Sequence, residues 1–183
     1  MANPAVDFHL KTEVRAFMRE RLSQLDSAER RKRSLDICFQ LAVRLQKAKS
    51  LALFAPRSTE PDLDLLWHNR LPTDLLRLYP RCIDNSLQLC PVSRIDQLQL
   101  GAFGLREPLA LESSLITPEF ILVPGLGFTS DGKRLGNGCG FYDRFLSTFA
   151  KASKKIGVCF DFQLVKELPQ DPHDVPVDDV IFA

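Results

Sequence analysis

The sequence predicts a layered α/β fold with a mostly parallel sheet behind an N-terminal pair of helices. Three observations carry this reading. From His9 to about Lys49, apolar residues recur at spacings of three and four, the period of an amphipathic helix. Beyond Lys49 the texture changes to short apolar runs such as "SLALFA", "EFILVPGLGF" and "KIGVCFDF", each bounded by proline, glycine or charge. Helical stretches alternate with these runs, and such alternation makes parallel sheets.

The helical pair divides into "FHLKTEVRAFMRERLSQL" and "SAERRKRSLDICFQLAVRLQKA", with Asp26 or Ser27 as the N-cap of the second and Glu29 in its first turn. Leu35, Cys38, Phe39, Ala42 and Leu45 form the expected core-facing stripe of that helix. The run "ERRKR" reads as a solvated face. "SLALFA" (50–55) is a buried strand ending at Pro56. "EPDLDLLWHNRL", with Pro61 in a first-turn position, is expected to be a helix. "DLLRLYP" and "LQLCPV" read as strands, and "SRIDQLQLGAFGLREPLALE" as largely irregular, broken by Gly101 and Gly104. "EFILVPGLGF" is the strongest buried strand. It leads through "TSDGKRLGNGCG" into a helix from about Phe141 to Ala152, then to the strand "KIGVCFDF". A proline-rich tail follows, with a last strand near Val180.

Composition narrows the function classes. Hydrophobic residues are 45% and charged residues 26% of the 183, enough for a packed core. The formal net charge of +1 gives no bulk attraction to nucleic acid. No apolar run approaches the roughly 20 residues of a membrane span. The stretch "MANPAVDFHLKTEVRAF" lacks a basic segment followed by an apolar one, so no secretory signal is expected. Five cysteines without a C-x-x-C pair argue for free thiols and a cytoplasmic location.

The chemistry concentrates in "RLGNGCGFYDRF". Gly136, Gly138 and Gly140 precede a helix, and Lys133 and Arg134 precede the glycines. Glycines permit close approach of a ligand, and the first N–H groups of a helix lack partners, so such a segment can bind an anion. It can equally be an ordinary turn before a helix, and the glycine spacing alone leaves both open. No Lys-Ser or Lys-Thr follows, so it is not a P-loop, and G-x-G-x-G is not the dinucleotide fingerprint. Asp143, in the first turn, either stabilises the helix start or holds Mg²⁺ beside a phosphate. Cys139 reads as a loop spacer.

"ILVPGLGFTSDGKRLGNGCGFYDRFL" resembles the signature of the 5-formyltetrahydrofolate cyclo-ligase family, over Pro124, Phe128, Gly132, Arg134, Leu135, the three glycines and Phe141 to Arg144. "KTEVR", "STEPDL", "FGLREP" and "DFQLVKELPQDPHDVPVDDVI" are similar to further family segments. The resemblance implies a single domain over residues 1–183, a three-layer α/β/α sandwich. It also implies ATP-dependent ring closure of 5-formyltetrahydrofolate to 5,10-methenyltetrahydrofolate, with release of ADP and phosphate. ATP would be held by Lys11, Arg15, Arg134, Leu135, Gly136, Asn137, Gly138, Cys139, Gly140, Phe141 and Tyr142. Lys11, Arg134 and Tyr142 would serve catalysis. Glu60, Phe103, Glu107 and Tyr142 would face the folate, with Trp67 and Tyr79 as further candidates for the wall of its site. Asp143 and Asp178 would hold Mg²⁺. The partners implied are folate and ATP, with no nucleic acid and no membrane, and a monomer as the working unit. Departures at Asn137, Thr129 and around Ser58 keep an alternative in view: a relative that binds folate or nucleotide without turnover, or a small-molecule kinase or ligase with another acceptor.

Overall fold

The computed structural model describes residues 10–68, 71–84, 86–101, 104–109, 114–149 and 152–183. Two helices open it, α1 (Lys11–Gln24) and α2 (Ser27–Arg44). Asp26 is the N-cap of α2, its Oδ1 accepting from Ala28 N and Glu29 N. This satisfies two of the orphan donors at the helix start.

The central sheet has six strands in the order β10-β9-β6-β1-β2-β3. They are β1 (Ser50–Ala52), β2 (Leu76–Ile83), β3 (Ser86–Pro91), β6 (Phe120–Pro124), β9 (Lys154–Cys159) and β10 (Asp179–Phe182). All neighbours pair in parallel except β3, which runs antiparallel to β2 at one edge. Two small hairpins stand outside it: β4 (Leu98–Leu100) with β5 (Arg106–Pro108), and β7 (Gly127–Phe128) with β8 (Arg134–Leu135).

Alternation along the strands creates the layers. Leu51, Tyr79, Leu122, Ile156 and Val158 face a core shared with Val14 and Met18 of α1 and Ile37 and Leu41 of α2. Their chain neighbours Ala52, Leu78, Ile121, Val123 and Cys159 face a second core with Phe145 and Leu146 of α3 (Phe141–Thr148). Helices thus cover both faces, as the predicted three-layer α/β/α architecture requires. Phe128 belongs to the second core and is fully buried, its ring lying against two glycines. A Cβ on Gly157 would meet Phe128 Cε1 at 2.5 Å, and one on Gly125 would meet Cζ at 2.7 Å.

Four expectations are corrected. The buried stripe of α2 runs through Ser34, Ile37, Cys38 and Leu41, and on to Leu45, while Phe39 is 61% exposed. Ser34 is tolerated inside because its hydroxyl donates to Arg30 O and accepts from Asp62 N. The helix expected around Trp67 is a single 3₁₀ stretch, Leu63–Trp67, capped by Asp62. The segment read as irregular contains the β4–β5 hairpin. Finally, α3 ends at Thr148, sooner than expected.

Candidate active site at the carboxyl edge of the sheet

In a parallel sheet the loops after the strands form the binding edge. Here the segments after β1 and β6, the end of β2, the start of α1 and the β9–β10 connection surround a cavity of ≈ 290 Å³. All residues predicted for the site line it, except Phe103, Asp178 and the wall candidates Trp67 and Tyr79. Phe103 lies outside the described residues. Asp178 is not brought there: its Oδ2 accepts from Lys155 N at 2.7 Å and pairs with Lys155 Nζ at 3.1 Å, securing the approach to β10. Trp67 and Tyr79, candidates for the wall, pack instead against each other inside the fold, with Trp67 Nε1 donating to Tyr79 Oη at 2.9 Å.

One wall of the cavity is the segment from β8 to α3. Arg134 runs beneath it, its side chain 3% exposed, with Nη2 donating to Asp143 Oδ1 at 2.6 Å and Nη1 to Pro124 O at 3.3 Å. Its guanidinium carbon lies 5.8 Å from the Tyr142 ring centre. Asp143 Oδ1 also accepts from Val175 N at 3.3 Å. This carboxylate therefore ties the start of α3 to the arginine and to the C-terminal segment. Gly140 caps α3 with φ 66°, and Gly138 has φ 109°, conformations that disfavour a side chain.

The loop carbonyls point at arginines. Arg15 Nε donates to Gly136 O at 3.0 Å, Arg19 Nη2 to Asn137 O at 3.3 Å, and Arg144 Nη1 to Cys139 O at 3.3 Å. Arg19 was not singled out from the sequence, although Lys11, Arg15 and Arg19 follow one another at i, i+4 and i+8 on α1, a legible stripe.

Lys11 Nζ bonds Asp171 Oδ2 at 2.7 Å and also Asp174. Burial works against the ammonium, but these hydrogen bonds and charges outweigh it and raise its pKa above the ordinary value. Burial likewise opposes the Asp174 carboxylate, and the hydrogen bond from Lys11 overrides it, holding Asp174 below the usual range. Ligand atoms of Asp171, His173 and Asp174 lie within 4.8 Å of one another, a grouping already balanced by the Lys11 ammonium. None of the three was predicted as a site residue, and their signal was the acidic "DPHD" run in the tail.

Elsewhere in the lining, burial pushes the Glu60 carboxyl up, opposed by the hydrogen bond from Arg57 N to Oε2. Burial, then the nearby Glu60 charge, push the Tyr142 phenol up, so it stays a neutral donor rather than a base. Glu107 Oε2, also in the lining, accepts from Cys82 N at 3.3 Å. The lining brings cations and the glycine loop together with carboxyl groups and an aromatic ring. This suits a polyanion beside a flat, amine-bearing molecule.

The model of the 5-formyltetrahydrofolate cyclo-ligase family matches residues 8–183. The 5-formyltetrahydrofolate cyclo-ligase of Mus musculus is 25% identical, the match covering 94% of this chain and 93% of that protein. The enzyme of the same name from Escherichia coli K12 is 31% identical over 67% of this chain and 69% of its own length. The solved 5,10-methenyltetrahydrofolate synthetase of Aquifex aeolicus superposes with a TM-score of 0.82 at 34% identity, covering 94% of this chain and 89% of that one. Among the described residues no helix is long and apolar enough to cross a membrane.

Proposed function

The chain belongs to the 5-formyltetrahydrofolate cyclo-ligase family, and we propose that it closes the ring of 5-formyltetrahydrofolate at the expense of ATP, giving 5,10-methenyltetrahydrofolate, ADP and phosphate. The observation that carries this reading is the convergence of Lys11, Arg15, Arg134 and the glycine loop with Glu60, Glu107 and Tyr142 on one cavity.

The formyl oxygen is a poor leaving group. It attacks the γ-phosphorus of ATP, and the bond from that phosphorus to the ADP oxygen breaks. The formyl carbon then carries a phosphate ester and stays bonded to N5. N10 attacks that carbon, the carbon–oxygen bond breaks, phosphate departs and the N10 proton is lost. Such a transfer needs positioning and charge neutralisation more than covalent help. The N–H groups from Leu135 to Tyr142 cradle phosphate oxygens, and Arg15 and Arg134 add positive charge. Arg134 also fixes Asp143. Lys11 reaches the phosphates by exchanging Asp171 and Asp174 for them. Glu60 anchors the amino groups of the pterin ring, and Tyr142 stacks or donates to it.

Asp143 fits a hard, oxygen-preferring cation, since it is a carboxylate beside the cradle. When bound with ATP, Mg²⁺ would be held there and would neutralise phosphate charge. Asp178 is left out of this set because it does not line the cavity.

The test is purified protein with Mg-ATP and 5-formyltetrahydrofolate, following methenyl absorbance and ADP together. Equal rates of the two are expected. Folate binding without either signal would favour a non-catalytic binder, and ADP formed only with another acceptor would favour a different kinase or ligase.

A further inference from the structure

The loop 136–140 takes its shape from outside itself. Arg15 and Arg19 lie one helical turn apart on α1, and they donate to consecutive loop carbonyls, Gly136 O and Asn137 O. The chain holds no cis peptide among the described residues, and in a trans peptide the N–H points opposite to the carbonyl of the same plane. Fixing these two carbonyls therefore fixes the N–H groups of Asn137 and Gly138. Both residues line the cavity. Among the described residues no backbone carbonyl accepts from either N–H.

Arg19 differs from its neighbours on the stripe. Lys11 and Arg15 line the cavity, but Arg19 does not. Its guanidinium bonds the carbonyl side of the 137–138 peptide. If that peptide turned over, a carbonyl oxygen would face an incoming phosphate in place of an N–H. Gly138, at φ 109°, has no side chain to resist such a turn.

We infer that Arg19 is a positioning residue for the nucleotide: it holds the 137–138 peptide with its N–H toward the phosphates and makes no phosphate contact itself. This inference rests on the ATP reading of the cavity. The test compares Arg19→Ala and Arg19→Lys with the natural chain in two measurements. In ligand-free protein, backbone amide order parameters at Asn137 and Gly138 are expected to fall from about 0.85 to below about 0.6 in Arg19→Ala. In turnover, the KM for ATP should rise by roughly three- to tenfold, the worth of one hydrogen bond, while kcat and the KM for folate hold. Arg19→Lys, which keeps a donor, should restore both. Unchanged order parameters in Arg19→Ala would overturn the inference, whether or not the KM moved. A folate KM that rose in parallel with that for ATP would do so too. Absence of turnover in the natural chain would instead sink the proposed reaction, and the order parameters would still test the clamp.

Discussion

The turn at 129–133 and the loop at 136–140 are near neighbours in the chain, yet they are held in opposite ways. The turn closes on itself. Thr129 N donates to Lys133 O, Gly132 N to Thr129 O, and Lys133 N to the Thr129 hydroxyl, which in turn bonds Asp131. It is further pinned where Val177 N donates to Gly132 O at 2.9 Å. The loop has its carbonyls held by arginine side chains from α1 and α3. A turn that consumes its own polar groups offers nothing to a ligand. A loop whose acceptors are taken by side chains keeps its donors available. The same residue types, glycine above all, serve rigidity in one place and recognition in the other.

This contrast can be broken by substitution. The largest effect is expected for Gly132→Ala. A Cβ there would lie 2.2 Å from Val177 O, at φ 89°. The loss of stability should be about 3 kcal/mol or more, a fall in Tm of about 6–12 °C for a chain of this size. A Tm near that of the natural chain would show the turn to be less rigid than its contacts imply.

Thr129→Val comes next. Thr129 is fully buried, and valine cannot accept from Lys133 N, so a loss of about 1–2 kcal/mol is expected by thermal unfolding, with ATP kinetics unchanged. The hydrogen bond from Thr129, first among its causes, holds Asp131 below the usual carboxylate range. A depressed acid stabilises the fold above its unfolded pKa and loses that contribution as pH falls through the folded one. The natural chain should therefore lose stability below about pH 4 more steeply than Thr129→Val. Parallel acid profiles would remove Asp131 from the turn.

Gly138→Ala should do the reverse. A Cβ there has only ordinary contact with Arg15, at 3.5 Å, but φ 109° is strained for alanine. The exposed loop can relax by turning a peptide, so Tm should drop by less than about 3 °C while the KM for ATP rises roughly tenfold. A Tm loss matching that of Gly132→Ala would erase the distinction between the two regions. The smallest effect is expected for Cys139→Ser: the side chain is exposed and the loop acts through its backbone, so ADP formation should change less than about twofold. A larger loss would give the thiol a part in the reaction.

Much of this was legible in the sequence. The helical pair, the parallel strands and the loop before α3 follow from periodicity and glycine placement. The phase of α2 was misjudged because a scan for apolar residues passes over Ser34, whose burial depends on Asp62, distant in sequence. The β4–β5 hairpin escaped because its outward residues, such as Leu100 at 77% exposure, break the alternation that marks a half-buried strand. The cavity residues could be gathered by family resemblance, but their pairings could not. Nothing local indicates that Lys11 meets Asp171 and Asp174, or that Arg134 meets Asp143, since those partners meet only through the fold. Asp178 has the same carboxylate as Asp143, each paired with a cation, and only its place outside the cavity separates them.

The burial of Phe128 against Gly157 reaches further than packing. The hairpin that carries Phe128 continues through the turn into Arg134 and the loop, so the depth at which the ring seats sets the height of the whole binding wall above the sheet. Position 157, in the middle of β9 and outside the cavity lining, thereby acts as a shim beneath the cavity. Relatives or designed variants that enlarge residue 157 should need a smaller residue at 128. The two positions are expected to vary as a coupled pair, and a library that samples them independently should lose nucleotide binding in most of its members.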